Sequence, residues 1–244
     1  MTVTLAGPIA SSLERVHRHI DEAAAGAGRD PSAVALIAVS KGFSAGAIAG
    51  AILAGQRDFA ENRVQELAGK SAELGELVRW HFVGRLQRNK VRQVVESGAV
   101  IHSVDRLELA AEINRRAAQP VRVLVEVNVT GEPQKGGVEP EDLPRLVESA
   151  LAMPNLEVIG LMTMARKAGD PELARPHFRE LARLRDQLVQ GYSAMIHHLS
   201  MGMSQDYRVA VEEGATMLRV GEAIFGPRTP PQTLGAEQLG ESER

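Results

Sequence analysis

The chain alternates between short apolar, β-branched runs and longer stretches whose apolar residues recur three and four apart. The first run, Val34 to Val39, carries no charge, as a strand buried on both faces requires. Eight such runs read as strands: Val34–Ser40, Arg57–Ala60, Trp80–Gly84, Ala99–Val104, Val121–Val129, Leu156–Thr163, Ile196–Met201 and Thr216–Val220. Helical spacing fills the gaps over Ala45–Leu53, Arg63–Leu77, Gln87–Glu96, Arg106–Ala117, Pro140–Ala152, Pro171–Val189 and Gln205–Glu213. Ahead of the first strand, Ile9, Leu13, Val16 and Ile20 predict an amphipathic helix over Pro8 to Ala25. Local signals mark the ends. Gly55 can stop one helix, Asp170-Pro171 can start another, and Asp105 with Glu108 has the spacing of a capping box.

Strands alternating with helices predict a (β/α)8 barrel, with a flavodoxin-like or Rossmann sheet as the alternative. No GxGxxG follows the first strand, which weighs against a Rossmann sheet. Little helical sequence remains after the eighth strand. The N-terminal helix is therefore expected to cover part of the wall that a last helix would otherwise cover. Residues 1–228 read as one barrel domain and residues 229–244, rich in Gly, Gln and Glu, as a loose tail.

Composition narrows the function classes. Hydrophobic residues make up 44% of the 244 positions and charged residues 24%, ordinary values for a soluble globular protein. A net charge of −3 gives no general attraction to nucleic acid or membranes. The absence of cysteine rules out disulfides and thiolate metal sites and suits a reducing cytoplasm. No run approaches the roughly 20 apolar residues of a membrane span, and the N-terminus lacks the form of a signal peptide.

A barrel does its chemistry at the carboxyl ends of its strands, here Lys41, Asn62, Gly84, Asp105, Asn128, Met162, Ser200 and Gly221. Lys41, ending a buried strand, can attack a carbonyl if desolvation frees its amine; otherwise it marks a strand end and points to water. Ser200, Gly202 and Ser204 lie at a strand-to-helix turn, where hydroxyls and free amides can hold an anion. Gly221 lets backbone approach a ligand closely. Together with Lys41 these features point to a phosphorylated carbonyl compound. Arg219 stands alone as a charge in MLRVG, so it either contacts a ligand or forms an internal salt bridge, for instance with Glu126. Adjacent His197 and His198 should face opposite sides of a strand and so cannot share a metal. Met162, Met164, Met201 and Met203 suit pocket lining. The cluster Arg85, Arg88, Lys90 and Arg92 reads as a solvated helix face, and Lys135 in GEPQKGG as part of a surface loop that can bring a second amine near the barrel mouth.

The segments AVSKG, DFAENRVQEL, WHFVGRLQRNK, IHSVDR, VLVEVNVTGEPQKGGV, GLMTMA, LSMGMSQDY and RVGEAIFG occur in this order along nearly the whole chain. Together they resemble the pyridoxal phosphate homeostasis (YggS/PROSC) family. The resemblance implies a single alanine-racemase-like TIM barrel of PLP fold type III, with an extra N-terminal helix, holding pyridoxal 5′-phosphate (PLP). It implies a Schiff base on Lys41, a phosphate contact at Ser200, and phosphate-binding backbone amides at Gly221 and Glu222. Arg219 then matches the arginine facing the pyridine nitrogen, and Asn62 and Met162 match pocket positions. Five positions depart from the family pattern: Gly42-Phe43 replaces Thr-Lys, Ala60 replaces a glycine, Gln205 an acidic residue, and Glu222 a threonine or serine.

A racemase needs a second base on the far face of the cofactor, which relatives take from another domain or subunit. The tyrosines of this chain are Tyr192 and Tyr207, and Tyr192 should lie before a strand, at the wrong barrel end. An arginine at the ring nitrogen also weakens the ring as an electron sink. The expected role is a cytoplasmic PLP carrier and regulator in vitamin B6 homeostasis, monomeric or dimeric, with apo PLP-dependent enzymes as recipients. It is expected to have no catalytic residue, metal, nucleic acid or membrane partner. A weak PLP-dependent amino-acid racemase or lyase is the alternative, and a Schiff-base aldolase a third class.

Overall fold

The computed structural model describes residues 7–132, 134–166, 169–192 and 195–227. The expected tail, residues 229–244, lies outside them.

Eight parallel strands close into a barrel in sequential order. They are β1 (Ala35–Val39), β2 (Asp58–Glu61), β3 (Arg79–Phe82), β4 (Val100–Val104), β5 (Val121–Glu126), β6 (Leu156–Met162), β7 (His198–Ser200) and β8 (Met217–Val220). Closure comes from β1 pairing with β8, with Ile37 opposite Arg219 and Ala38 opposite Val220. The open-sheet alternative is thereby excluded. The helices are α1 (Pro8–Gly26), α2 (Ala45–Leu53), α3 (Val64–Leu74), α4 (Val91–Glu96), α5 (Leu107–Arg116), α6 (Leu143–Leu151), α7 (Arg175–Gly191), α8 (Tyr207–Glu212) and the short α9 (Glu222–Phe225). Sequence periodicity does not reveal α9, because a single turn is too short to show a period. Among the described residues no helix is long and apolar enough to cross a membrane.

Strand alternation sorts the apolar residues into two cores. Ile37, Val39, Ala60, Val100, Leu124, Ile159, Met162 and Met217 fill the barrel interior. Their strand neighbours, including Leu36, Ala38, Phe59, Phe82, Ile101, Val123, Val125, Leu161 and Leu218, face the helices. Helix α1 buries Leu13, Val16, Ile20, Ala23 and Ala24 and packs against α2, α8 and α9. It thus completes the wall where α9 is too short to do so.

Local signals mostly act as their chemistry demands. Ser44 caps α2 by accepting the Ala47 N–H, and the Gly55 N–H closes on Ile52 O. Asp170 accepts the N–H of Glu172 ahead of α7. Asp105 does not cap α5. Its carboxylate pairs with the neighbouring Arg106 guanidinium, a stronger partner than a backbone amide. His197 and His198 also depart from expectation, their rings lying 4.1 Å apart. His197 precedes β7 in a tight turn, with its N–H on Met195 O, so strand alternation does not apply to it. Among the described residues no metal-binding cluster forms there or elsewhere.

Candidate functional site

Because all eight strands run parallel, their carboxyl ends share one mouth. Val39 pairs with Ala60, so two residues on, Lys41 and Asn62 leave the sheet side by side. On the other flank a Cβ on Gly221 would crowd Val39 O at 3.0 Å, so glycine lets the end of β8 lie this close to the end of β1 without a shift of either strand. Met162 pairs with Ser200 across β6 and β7. Lys41, Asn62, Met162, Ser200, Arg219, Gly221 and Glu222 therefore all lie at or near one barrel end. Lys41 is half-buried and Asn62 exposed, while Met162 and Ser200 are buried. Glu222 is exposed and opens α9.

The turn carrying Lys41 is tied down from below. Ser40 Oγ donates to Glu61 Oε1 at 2.7 Å, and Lys70 Nζ reaches the same oxygen at 2.6 Å and Ser40 O at 3.0 Å. Lys70 also contacts Glu66 Oε2 at 3.1 Å, and that oxygen accepts the Gly42 N–H at 2.8 Å. Gly42 has φ 77°, which favours glycine at this turn over the threonine of the family pattern. Burial pushes the Glu61 carboxyl up against the pull of Lys70 and Ser40, and Glu61 Oε2 has no hydrogen-bond partner among the described residues.

Arg219 points into the barrel. It donates to Ser200 Oγ at 2.6 Å and to Thr163 O at 2.9 Å. Neither Glu126 nor another carboxylate forms an ion pair with it among the described residues; Glu126 and Asp206 act from farther off. Burial draws Arg219 down to about 10 against these two, so it stays charged at neutral pH. Ser200 is fully buried behind this arginine. The hydroxyl near the mouth amides is that of Ser204, which accepts N–H from Gly221 at 3.3 Å and Ala223 at 3.2 Å. Serine spacing along LSMGMS does not tell the two apart; only the backbone path does. Lys135 bonds Glu132 at 2.6 Å and Met164 O at 3.3 Å, so its amine is held between its own loop and the one that follows β6.

Glu126 ends β5 inside the barrel and is 6% exposed. Burial and then Asp105 push its carboxyl from 4.5 up to about 7, against Arg219 and Arg85. A carboxyl with a raised folded pKa contributes stability that is complete below its unfolded value and lost as pH rises through the folded value. In ligand-free protein this group is expected to remove up to about 3 kcal/mol between pH 4.5 and 8. Glu126→Gln should abolish that component. Urea unfolding of both proteins at pH 5, 6, 7 and 8 measures it, and parallel pH profiles would refute it.

The donor set suits an aldehyde-bearing phosphate: an amine at a buried strand end, converging amides with a hydroxyl, and a buried guanidinium that can only donate. Residues 11–229 match the family model described as alanine racemase, N-terminal domain. The pyridoxal phosphate homeostasis protein of Aquifex aeolicus is 46% identical over 220 residues, covering 88% of this chain and 96% of that relative. Its counterpart in Pseudomonas aeruginosa is 44% identical over 224 residues, covering 90% of this chain and 96% of the relative. PipY of Synechococcus elongatus, solved with PLP bound, is 36% identical with a TM-score of 0.78, covering 89% of this chain and 100% of PipY. The alanine racemase of Corynebacterium glutamicum, 17% identical with a TM-score of 0.68, covers 92% of this chain and 62% of its own, and shares the fold. The chain belongs to the pyridoxal phosphate homeostasis protein family, built on the alanine racemase N-terminal domain.

Proposed function

We propose that this protein binds PLP through Lys41 and serves as a carrier and regulator of the cofactor in vitamin B6 homeostasis, rather than as a catalyst. The observation that carries the reading is the convergence of Lys41, Arg219 and the Ser204–Gly221–Ala223 cradle at one barrel end. PipY, solved with PLP bound and 36% identical, supports the choice of ligand. Lys41 Nζ condenses with the cofactor aldehyde, releasing water and leaving a C=N bond to the lysine. Ser204 and the amides of Gly221, Glu222 and Ala223 hold the phosphate, a role assigned to Ser204 because the Ser200 hydroxyl lies behind Arg219. Asn62 and Met162 flank the ring, and Arg219 donates to its nitrogen, which favours an unprotonated ring. When bound, PLP supplies an electron sink, and this arrangement restrains it.

The placement of the tyrosines supports the carrier reading over racemase chemistry. Tyr207 Oη lies 2.7 Å from His19 Nδ1 on α1, in the helix layer. Tyr192 caps α7 ahead of β7, at the opposite barrel end. Neither serves as a second base at the mouth. Delivery to apo enzymes in the cytoplasm follows from the same reading.

Borohydride reduction of protein loaded with PLP is expected to fix one pyridoxyl group per chain, mapped by peptide mass spectrometry to Lys41. Lys41→Ala should lose the label. Labelling chiefly at Lys70 or Lys135 would refute the assignment.

A further inference from the structure

A file of polar side chains crosses the barrel interior from floor to mouth. Arg79, at the start of β3, pairs with Asp58 through Nε–Oδ1 at 2.8 Å. Asp58 Oδ1 lies 3.3 Å from His81 Nε2, and His81 Nδ1 lies 2.9 Å from His102 Nε2. His102 Nδ1 lies 2.8 Å from Ser200 Oγ, which takes the 2.6 Å bond from Arg219. Alternation places these residues inside the barrel: Trp80 and Phe82 face the helices, so His81 faces inward, and His102 and Arg219 share faces with Val100 and Met217. Both histidines are buried, at 5% and 0% exposure.

Donor arithmetic gives this file a direction. Arg219 can only donate, so Ser200 Oγ accepts from it. The Ser200 hydrogen then has one polar neighbour left among the described residues, His102 Nδ1. His102 must accept there and carry its hydrogen on Nε2, which it donates to His81 Nδ1. His81 in turn carries its hydrogen on Nε2 and gives it to Asp58. Every donor and acceptor is matched with both rings neutral. The reverse order leaves the Ser200 hydrogen without an acceptor, and unless His81 is protonated it turns a ring lone pair towards the Asp58 carboxylate. We propose that the file is a one-directional hydrogen-bond relay in which Asp58, His81 and His102 are positioning residues that aim a Ser200 lone pair at Arg219 and so hold the guanidinium in place at the barrel mouth. Burial, helped by the charge of Arg219, keeps His102 well below the usual histidine range, in keeping with a neutral ring. The consequence for the cofactor rests on the reading that Arg219 faces its ring.

The test has a ligand-free arm and a loaded arm. Long-range 1H–15N spectra of ligand-free protein should show His81 and His102 both protonated on Nε2 alone; an Nδ1–H or cationic His102 overturns the relay. His81→Leu removes the acceptor that His102 needs, whereas His81→Asn keeps an amide oxygen near the former Nδ1. The leucine variant leaves the His102 Nε2–H without its acceptor, so it should shift that nitrogen and displace the absorbance maximum of PLP-loaded protein, and the asparagine variant should restore both. Identical His102 shifts and absorbance in the leucine variant and wild type overturn the relay. If His81→Leu does not fold, Ser200→Ala breaks the file with loss of a single oxygen. An unchanged His102 signature and an unchanged chromophore in that variant overturn the proposal equally. Failure of borohydride to trap PLP on Lys41 refutes the proposed function instead, while the nitrogen shifts of ligand-free protein still decide the relay.

Discussion

Replacing Lys70 by methionine is expected to destabilise the protein by about 3–5 kcal/mol, the usual consequence of stranding one member of a buried ion pair. Glu61 is fully buried, and Lys70 is 12% exposed at its side chain. Methionine fills similar volume but supplies no donor, which leaves Glu61 Oε1 with Ser40 alone and Oε2 still without a partner. The loss extends beyond the pair. Lys70 also fixes Ser40 O and orients Glu66, which holds the Gly42 amide, so both residues flanking Lys41 lose support. A lower denaturant midpoint with an unchanged m-value is the expected signature, accompanied by slower borohydride trapping at Lys41. The double variant Glu61→Gln/Lys70→Met should recover at least half of the stability, because it removes the stranded charge. If Lys70→Met stays within about 1 kcal/mol of wild type, Glu61 is already neutral in the fold and the pair is a hydrogen bond rather than an ion pair.

Arg219→Glu should be comparably severe in ligand-free protein, at about 3–5 kcal/mol. Arg219 is 5% exposed, and its two hydrogen bonds satisfy Ser200 Oγ and Thr163 O. A glutamate cannot donate to Thr163 O when ionised, and it adds a negative charge where Glu126 and Asp206 already exert theirs. Glu126, now held at about 7 partly by the favourable field of Arg219, should rise further. Arg219→Lys keeps the charge but loses the planar fork, so it should fall between wild type and the glutamate variant. Urea unfolding at pH 7 orders the three proteins. A pH series of absorbance spectra on whatever loaded protein survives reports the ring nitrogen, where the carboxylate would favour the protonated form. Equal stability of the glutamate and lysine variants would show that charge at this position does not matter.

Much of the architecture was legible along the chain because it depends on local periodicity. The charge-free run Val34–Val39, helix boundaries such as Ala45–Leu53, and the N-terminal helix α1 that covers part of the wall are all consequences of spacing. Lys41 at a strand end is equally local, since a buried apolar run must stop before a charge. What the sequence could not decide is which polar residues meet. Ser200 and Ser204 look interchangeable in LSMGMS, yet the strand buries the first behind Arg219 and the turn brings the second to the Gly221 and Ala223 amides. Arg219 invites a salt bridge to Glu126, but its hydrogen bonds go to Ser200 and Thr163 instead. His81 and His102, from WHFV and IHSV, are visible as polar residues inside apolar strands. Their partners are not, because Asp58, His81, His102, Ser200 and Arg219 come from five different strands. Strand alternation tells which side chains share a face. Only closure of β8 onto β1, and the register it imposes, brings those faces together around one interior where buried donors must find acceptors.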